Sequence, residues 1–114
     1  MKKFCFLLLI SFFGFAPKQE TNQWIRINLL GYKPENIKVA VWCSKRKEGI
    51  GNWELVDDVT KQTVYKGSVE KMFGTYGPFT QTARLNFSKV KKPGKYFLKA
   101  GNAQSPVFEI GNDV

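Results

Sequence analysis

The sequence contains no histidine, which removes the usual general base and the commonest metal ligand. It has only two cysteines, Cys5 and Cys43. Cys5 falls in an apolar N-terminal run, so the remainder holds Cys43 alone. A lone cysteine makes no internal disulfide and most often serves as a small buried hydrophobe. One cysteine without histidine excludes the common zinc sites, and neither a metal nor a cofactor is predicted. After Gln23 no window sustains apolar residues at i, i+3 and i+4, so no helix is predicted. Without a helix there is no glycine-rich phosphate loop of the kind that opens one. Acidic residues are few, 9 against 18 lysines and arginines. A glycosidase-type site needs two carboxylates facing each other across a cleft. The only close pair, Asp57-Asp58, stands at a strand end beside a turn, where neighbouring side chains point to opposite faces. Turn hydrogen bonding is the better reading of that pair, and no catalytic residue is predicted.

The first residues read as a targeting segment. Lys2 and Lys3 precede an uncharged apolar run from Phe4 to Phe15, short of the ~20 residues that a membrane-spanning helix needs. Gly14 and Ala16 have the spacing of a small-x-small cleavage signal. Pro17 is a poor residue after such a cut, so the signal is clearer than its cleavage point. A buried N-terminal strand or helix is the competing reading. The Lys-Lys start and the polarity change at Pro17-Lys18-Gln19-Glu20 argue against it. Cys5 lies inside the apolar run rather than at its end, so no lipid anchor is predicted. The expected organisation is a signal peptide at 1–16, a short linker at 17–23, one domain at 24–111 and the start of a further linker at 112–114. The expected location is outside the cytoplasm, periplasmic or extracellular, with no membrane association once the signal is removed.

Charge and patterning limit the rest. The net charge of +9 raises nucleic acid as a partner. The lysines are scattered, however, and the densest clusters, Lys45-Arg46-Lys47 and Lys89 with Lys91-Lys92, fall in expected loops. Loop charge explains them better, and no nucleic-acid partner is predicted. Seven short runs of β-branched and aromatic residues separated by turn residues follow Gln23. They span Trp24–Leu29, Ile37–Cys43, Trp53–Asp57, Thr63–Lys66, Thr82–Phe87, Tyr96–Ala100 and Pro106–Ile110. This rhythm predicts an all-β, immunoglobulin-like antiparallel sandwich of two sheets. Asp58 to Gln62 reads as a hairpin connection and residues 70–80 as a long loop. In the fifth run Ala83, Leu85 and Phe87 share the inner face. Lys92-Pro93-Gly94-Lys95 fits a type II turn with glycine at positive φ. Tyr96 then occupies either a tyrosine corner or an ordinary core position.

Aromatic residues are plentiful, and sugars stack on flat aromatic faces. Trp53 alternates with Leu55 and is expected in the core. In the second run Ile37, Val39, Val41 and Cys43 share one face and Lys38, Ala40 and Trp42 the other. Trp42 is therefore expected to be exposed, or covered by something outside the sandwich. Tyr76 and Phe79 lie in the long loop. Trp42, Tyr76 and Phe79 are the candidate exposed aromatic contacts, for a neighbouring domain in the first instance and for a polysaccharide in the second.

The string Ile25-Arg26-Ile27-Asn28-Leu29-Leu30-Gly31-Tyr32-Lys33-Pro34, followed by Lys38-Val39-Ala40-Val41, resembles the opening of the N-terminal immunoglobulin-like domain of family 9 glycoside hydrolases. That family typically reads I-R-x-N-Q-x-G-Y-x-P there. Glu54 to Asp57, Val64 to Gly67, Pro93 to Leu98 and Ser105 to Gly111 resemble its later strands. The chain departs from the pattern at Leu29-Leu30, where the family usually has a glutamine, so any polar contact of that glutamine is lost. The resemblance implies a non-catalytic module that packs against and supports a large catalytic α/α-barrel. It also implies a parent activity, the hydrolysis of β-1,4-glucan. The barrel's catalytic residues have no counterpart in this sequence. Asn28, Gly31, Tyr32 and Pro34 form a candidate structural or interdomain motif, in which Gly31 allows a tight bend, Pro34 directs the exit and Tyr32 offers a ring with a polar tip. A free-standing secreted carbohydrate-binding or adhesion module is the alternative.

Overall fold

The computed structural model describes residues 22–114; the expected signal peptide lies outside them. Nine strands form two antiparallel sheets. They are β1 (Gln23–Arg26), β2 (Val39–Ser44), β3 (Asn52–Asp57), β4 (Thr63–Ser68), β5 (Met72–Phe73), β6 (Gln81–Asn86), β7 (Gly94–Ala100), β8 (Ala103–Gln104) and β9 (Phe108–Ile110). The first sheet runs β1-β2-β6-β5. The second runs β4-β3-β7, with β8 and β9 both pairing with β7. The immunoglobulin-like sandwich expected from the alternating runs is therefore present. Two short strands, β5 and β8, add to the seven expected, and β5 lies in the stretch read as a long loop.

The core lies between the sheets, and Leu55, Leu85, Phe87, Leu98 and Ile110 are fully buried in it. Ala83, Leu85 and Phe87 take the inner face as their alternation predicts. In β2 the expected orientation is reversed. Ala40 and Trp42 fill the core, while Val39 and Val41 lie half-buried on the outside. Burying an indole removes more apolar surface than burying a valine, provided that its N–H finds a partner. Here Trp42 sits in register between Ile25 and Ala83, and its Nε1 donates to Gln23 Oε1 at 3.2 Å. Trp42 is thus covered by the sandwich itself and is no exposed contact.

Gln23 also joins the two sheets. Its Oε1 accepts the backbone N–H of Asn102 at 2.7 Å, and its Nε2 donates to Glu48 at 3.1 Å. The expected type II turn at Gly94 is absent. Positive φ occurs instead at Gly31, Gly77, Gly101 and Lys61, and Gly94 opens β7 opposite Ile110. A Cβ on Gly94 would lie 3.2 Å from the Tyr96 hydroxyl, so this glycine makes room for a ring rather than for a bend. Tyr96 donates its hydroxyl to the Lys92 carbonyl at 2.7 Å, the hydrogen bond of a tyrosine corner. Between β3 and β4 the buried ring of Trp53 fills the space a Cβ on Gly67 would take. Among the described residues Trp53 Nε1 has no acceptor.

Candidate functional site

Two surfaces collect the residues of interest. The first is the end of the sandwich that carries Asn28, Gly31, Tyr32 and Pro34. Strand β1 stops at Arg26 because the backbone beyond it finds other partners. Asn28 N–H donates to the Tyr32 hydroxyl at 2.9 Å, and Gly31 N–H donates to the Asn28 carbonyl at 3.0 Å. The Tyr32 hydroxyl passes its own proton to the Val39 carbonyl at 3.2 Å. Its ring stands edge-on to Phe87 and Phe108, with centroids 5.1 and 5.4 Å away. The Tyr32 backbone pairs with β9, donating to Glu109 O and accepting from Gly111. Burial raises the Tyr32 phenol above its usual pKa. Gly31 has φ +95°, and a Cβ there would lie 2.8 Å from the Glu109 carbonyl and 2.9 Å from Val114. Both the backbone conformation and the space exclude a side chain.

Pro34 contributes its carbonyl. Lys38, fully buried, donates its ammonium to the carbonyls of Pro34 at 2.6 Å, Asn36 at 2.9 Å and Ser88 at 3.2 Å. Burial, and after it the charge of Lys91, lower the Lys38 pKa. All three of its N–H donors are matched, which is what allows so costly a group inside. Sequence reasoning missed this residue. Its one signal is its position, two residues before the core residue Ala40 on the same strand face. The pinned loops display Leu29, Leu30 and Ile37, each more than three-quarters exposed. Tyr32 ties these loops to one end of the sheet through Asn28 and Val39, beside Val114.

The second surface is the outer face of the β1-β2-β6-β5 sheet. Pairing places Arg26, Val41 and Arg84 in one row across three strands, and Trp24, Cys43, Thr82 and Phe73 in the next. Phe79, expected to be exposed, is buried against this face, edge-tilted on Trp24 at 5.7 Å and covered by the Arg26 guanidinium at 5.4 Å. Tyr76 bridges to Phe79 through the backbone but leaves its ring three-quarters exposed. Cys43 is free and buried under the same face.

Asp57, Asp58 and Glu48 each serve bonds within or beside their own loops. Asp57 Oδ1 accepts the N–H groups of Val59 at 2.8 Å and Thr60 at 3.1 Å. These bonds, Thr60's first, hold its carboxyl below the usual range. Asp58 turns away to Lys61 at 2.8 Å. Glu48 is lowered by the Ser44 hydroxyl at 2.6 Å and then by Gln23. Among the described residues no three Asp, Glu or Cys side chains stand close enough to share a metal ion.

Comparison with known proteins matches residues 20–105 to the model of the cellulase N-terminal ig-like domain. The xyloglucan-specific endo-beta-1,4-glucanase of Bacteroides ovatus is 38% identical over 94 residues, which cover 82% of this chain and 15% of that enzyme. Among solved structures, a Bacteroides ovatus GH9 protein superposes with TM-score 0.65 at 32% identity, covering 76% of this chain and 15% of the other. A metagenome-derived glycoside hydrolase family 9 endoglucanase superposes with TM-score 0.63 at 25% identity, covering 78% and 18%. The chain therefore spans about 15% of the length of the curated relative it matches.

Proposed function

Because the chain belongs to the family of cellulase N-terminal ig-like domains, we propose that it is the non-catalytic module of a family 9-like glycoside hydrolase and that it supports a catalytic α/α-barrel. The carrying observation is the pinned end of the sandwich. Three large aliphatic side chains, Leu29, Leu30 and Ile37, are held out to solvent by loops whose polar groups are internally matched. Apolar clusters of this kind mark interaction surfaces. Val114 packs against Gly31 at the same end, so a polypeptide continuing from it would start beside the cluster. The parent activity in this reading is hydrolysis of β-1,4-glucan, and the Lys2-Lys3 start with its apolar run supports export.

A chimera tests the reading. This chain replaces the matching segment of the Bacteroides ovatus xyloglucan-specific enzyme, with and without Leu29→Asp and Leu30→Asp. The expected result is retained xyloglucan hydrolysis and one cooperative unfolding transition, with the double variant lowering the transition by several degrees. Two independent transitions that the variants do not shift would overturn the docking. Hydrolysis of a soluble β-glucan by the isolated chain would overturn the non-catalytic assignment.

A further inference from the structure

The two outer faces of the sandwich carry different chemistry. The strands of the β4-β3-β7 sheet mix signs, with Glu54 and Asp57 on β3, Lys66 on β4, Lys95 and Lys99 on β7, and Glu109 on β9. No acidic residue occurs in β1, β2, β5 or β6, so the charged side chains on those strands are all cations, and Glu70 is the carboxylate at the β5 edge, where it lines a groove with Lys71, Phe73 and Arg84. Those cations are also held in place by aromatic rings. Arg26 lies over Phe79 at 5.4 Å, Lys45 over Trp24 at 5.5 Å, and both Arg84 and Lys71 over Phe73 at 5.2 Å. A cation over a ring face is attracted by the ring quadrupole, and the contact narrows the rotamers of an otherwise free side chain. Each guanidinium keeps a planar fork of N–H donors that matches a carboxylate two bonds at a time.

The spacing is set by the backbone. Arg26 pairs with Val41, and Val41 with Arg84. Their Cα atoms therefore stand two strand separations apart, about 10 Å. Val41 forms an apolar floor between them. Beside Arg84 a groove of about 560 Å³ is lined by Val41, Phe73, Tyr76 and Thr82, and Tyr76 offers it a ring that no cation covers. Neither arginine is engaged by a carboxylate among the described residues.

We propose that this face binds a carboxylate-bearing polysaccharide, with acid groups on separate sugars taken by Arg26 and Arg84 and a sugar ring resting on Tyr76. Charge complementarity selects an anionic ligand. The free aromatic ring, in a domain of a polysaccharide-hydrolase family, selects a glycan over nucleic acid or an acidic protein. The site is separate from the Leu29-Leu30 end and does not depend on what covers that end.

The test is electrophoresis of the purified protein through native gels containing polygalacturonate, xyloglucan or no polymer at 150 mM salt, with duplex DNA titrated separately. Retardation by polygalacturonate and none by xyloglucan is expected. Arg26→Gln with Arg84→Gln is expected to weaken retardation at least tenfold, and Tyr76→Ala severalfold. Lys95→Gln with Lys99→Gln, on β7 of the opposite sheet, serves as the charge control and is expected to leave it nearly unchanged. All of these side chains lie at the surface or half-exposed, and circular dichroism confirms that each variant is folded. No retardation, equal retardation by xyloglucan, equal loss in the charge control, or DNA binding as tight as polygalacturonate binding would each overturn the proposal.

Discussion

Lys38 and Trp53 are both buried side chains with a polar nitrogen, at opposite places in one small core, and they are treated in opposite ways. At the Tyr32 end every N–H of the Lys38 ammonium meets a carbonyl, and the Tyr32 hydroxyl both accepts and donates. At the β3–β4 edge the Trp53 indole fills the space over Gly67, and its N–H meets nothing in the chain. The first place is assembled by polar contacts, the second by volume. An unmade bond to a buried group costs far more than a made one contributes. Removing a nitrogen should therefore be costly at the first place and nearly free at the second.

The largest test of that contrast is Lys38→Met. It keeps the length of the side chain and strands three carbonyls in the 34–38 loop and at Ser88. The expected loss is about 3 kcal/mol in urea unfolding, from one to several unmatched buried acceptors at ~1–3 kcal/mol each. A loss below about 1 kcal/mol would show that water enters and that the lysine is not required. A matched pair gives a smaller effect. Trp42→Phe and Trp53→Phe remove the same atoms from the same core, but only the first breaks a hydrogen bond, leaving Gln23 Oε1 with the Asn102 N–H alone. Trp42→Phe should cost about 1 kcal/mol more than Trp53→Phe. Equal losses would mean that Trp53 has an acceptor after all.

The smallest effect concerns acid. Acid sensitivity should arise at Glu48 and Asp57. Both are lowered in the folded state. The unfolded chain then binds protons first, so their stabilisation is complete above the ordinary carboxylate pKa of about 4 and is lost as pH falls through the lower folded values. Asp57→Asn, which keeps one acceptor for Val59 and Thr60, should flatten the plot of unfolding midpoint against pH below about 4. An unchanged slope would remove Asp57 from that account.

These contrasts also mark where the sequence could be read. Strand periodicity located the third, fifth and sixth runs to within a residue or two, because β6 is apolar on one face only. Its Ala83, Leu85 and Phe87 had one possible destination. β2 is apolar on both faces, and alternation alone left open which set goes inside. The choice follows from the volume of Trp42 and from an acceptor on Gln23, a different strand. Lys38 was illegible for a similar reason, since one of its three carbonyls comes from Ser88, far along the chain. Phe79 is buried because it packs on Trp24 and lies under Arg26, both on β1, far from it in sequence. Gly94 looked like a turn residue, and it took the path of the Tyr96 ring to show that it leaves room for packing. In the motif, the bend at Gly31 and the polar tip of Tyr32 were readable. Their partners in β2 and β9 were not.

The reach of Gln23 bears on the order in which the domain can be completed. Its amide satisfies Trp42 within the first sheet, across 19 residues, and then takes the Asn102 N–H, across 79 residues. A chain emerging from a ribosome or a translocation pore presents its N-terminus first. The first of these bonds can form early, whereas the second waits for nearly the last strand. Until then the two sheets lack this tie, and the faces they will bury are open to whatever chaperone meets the nascent chain.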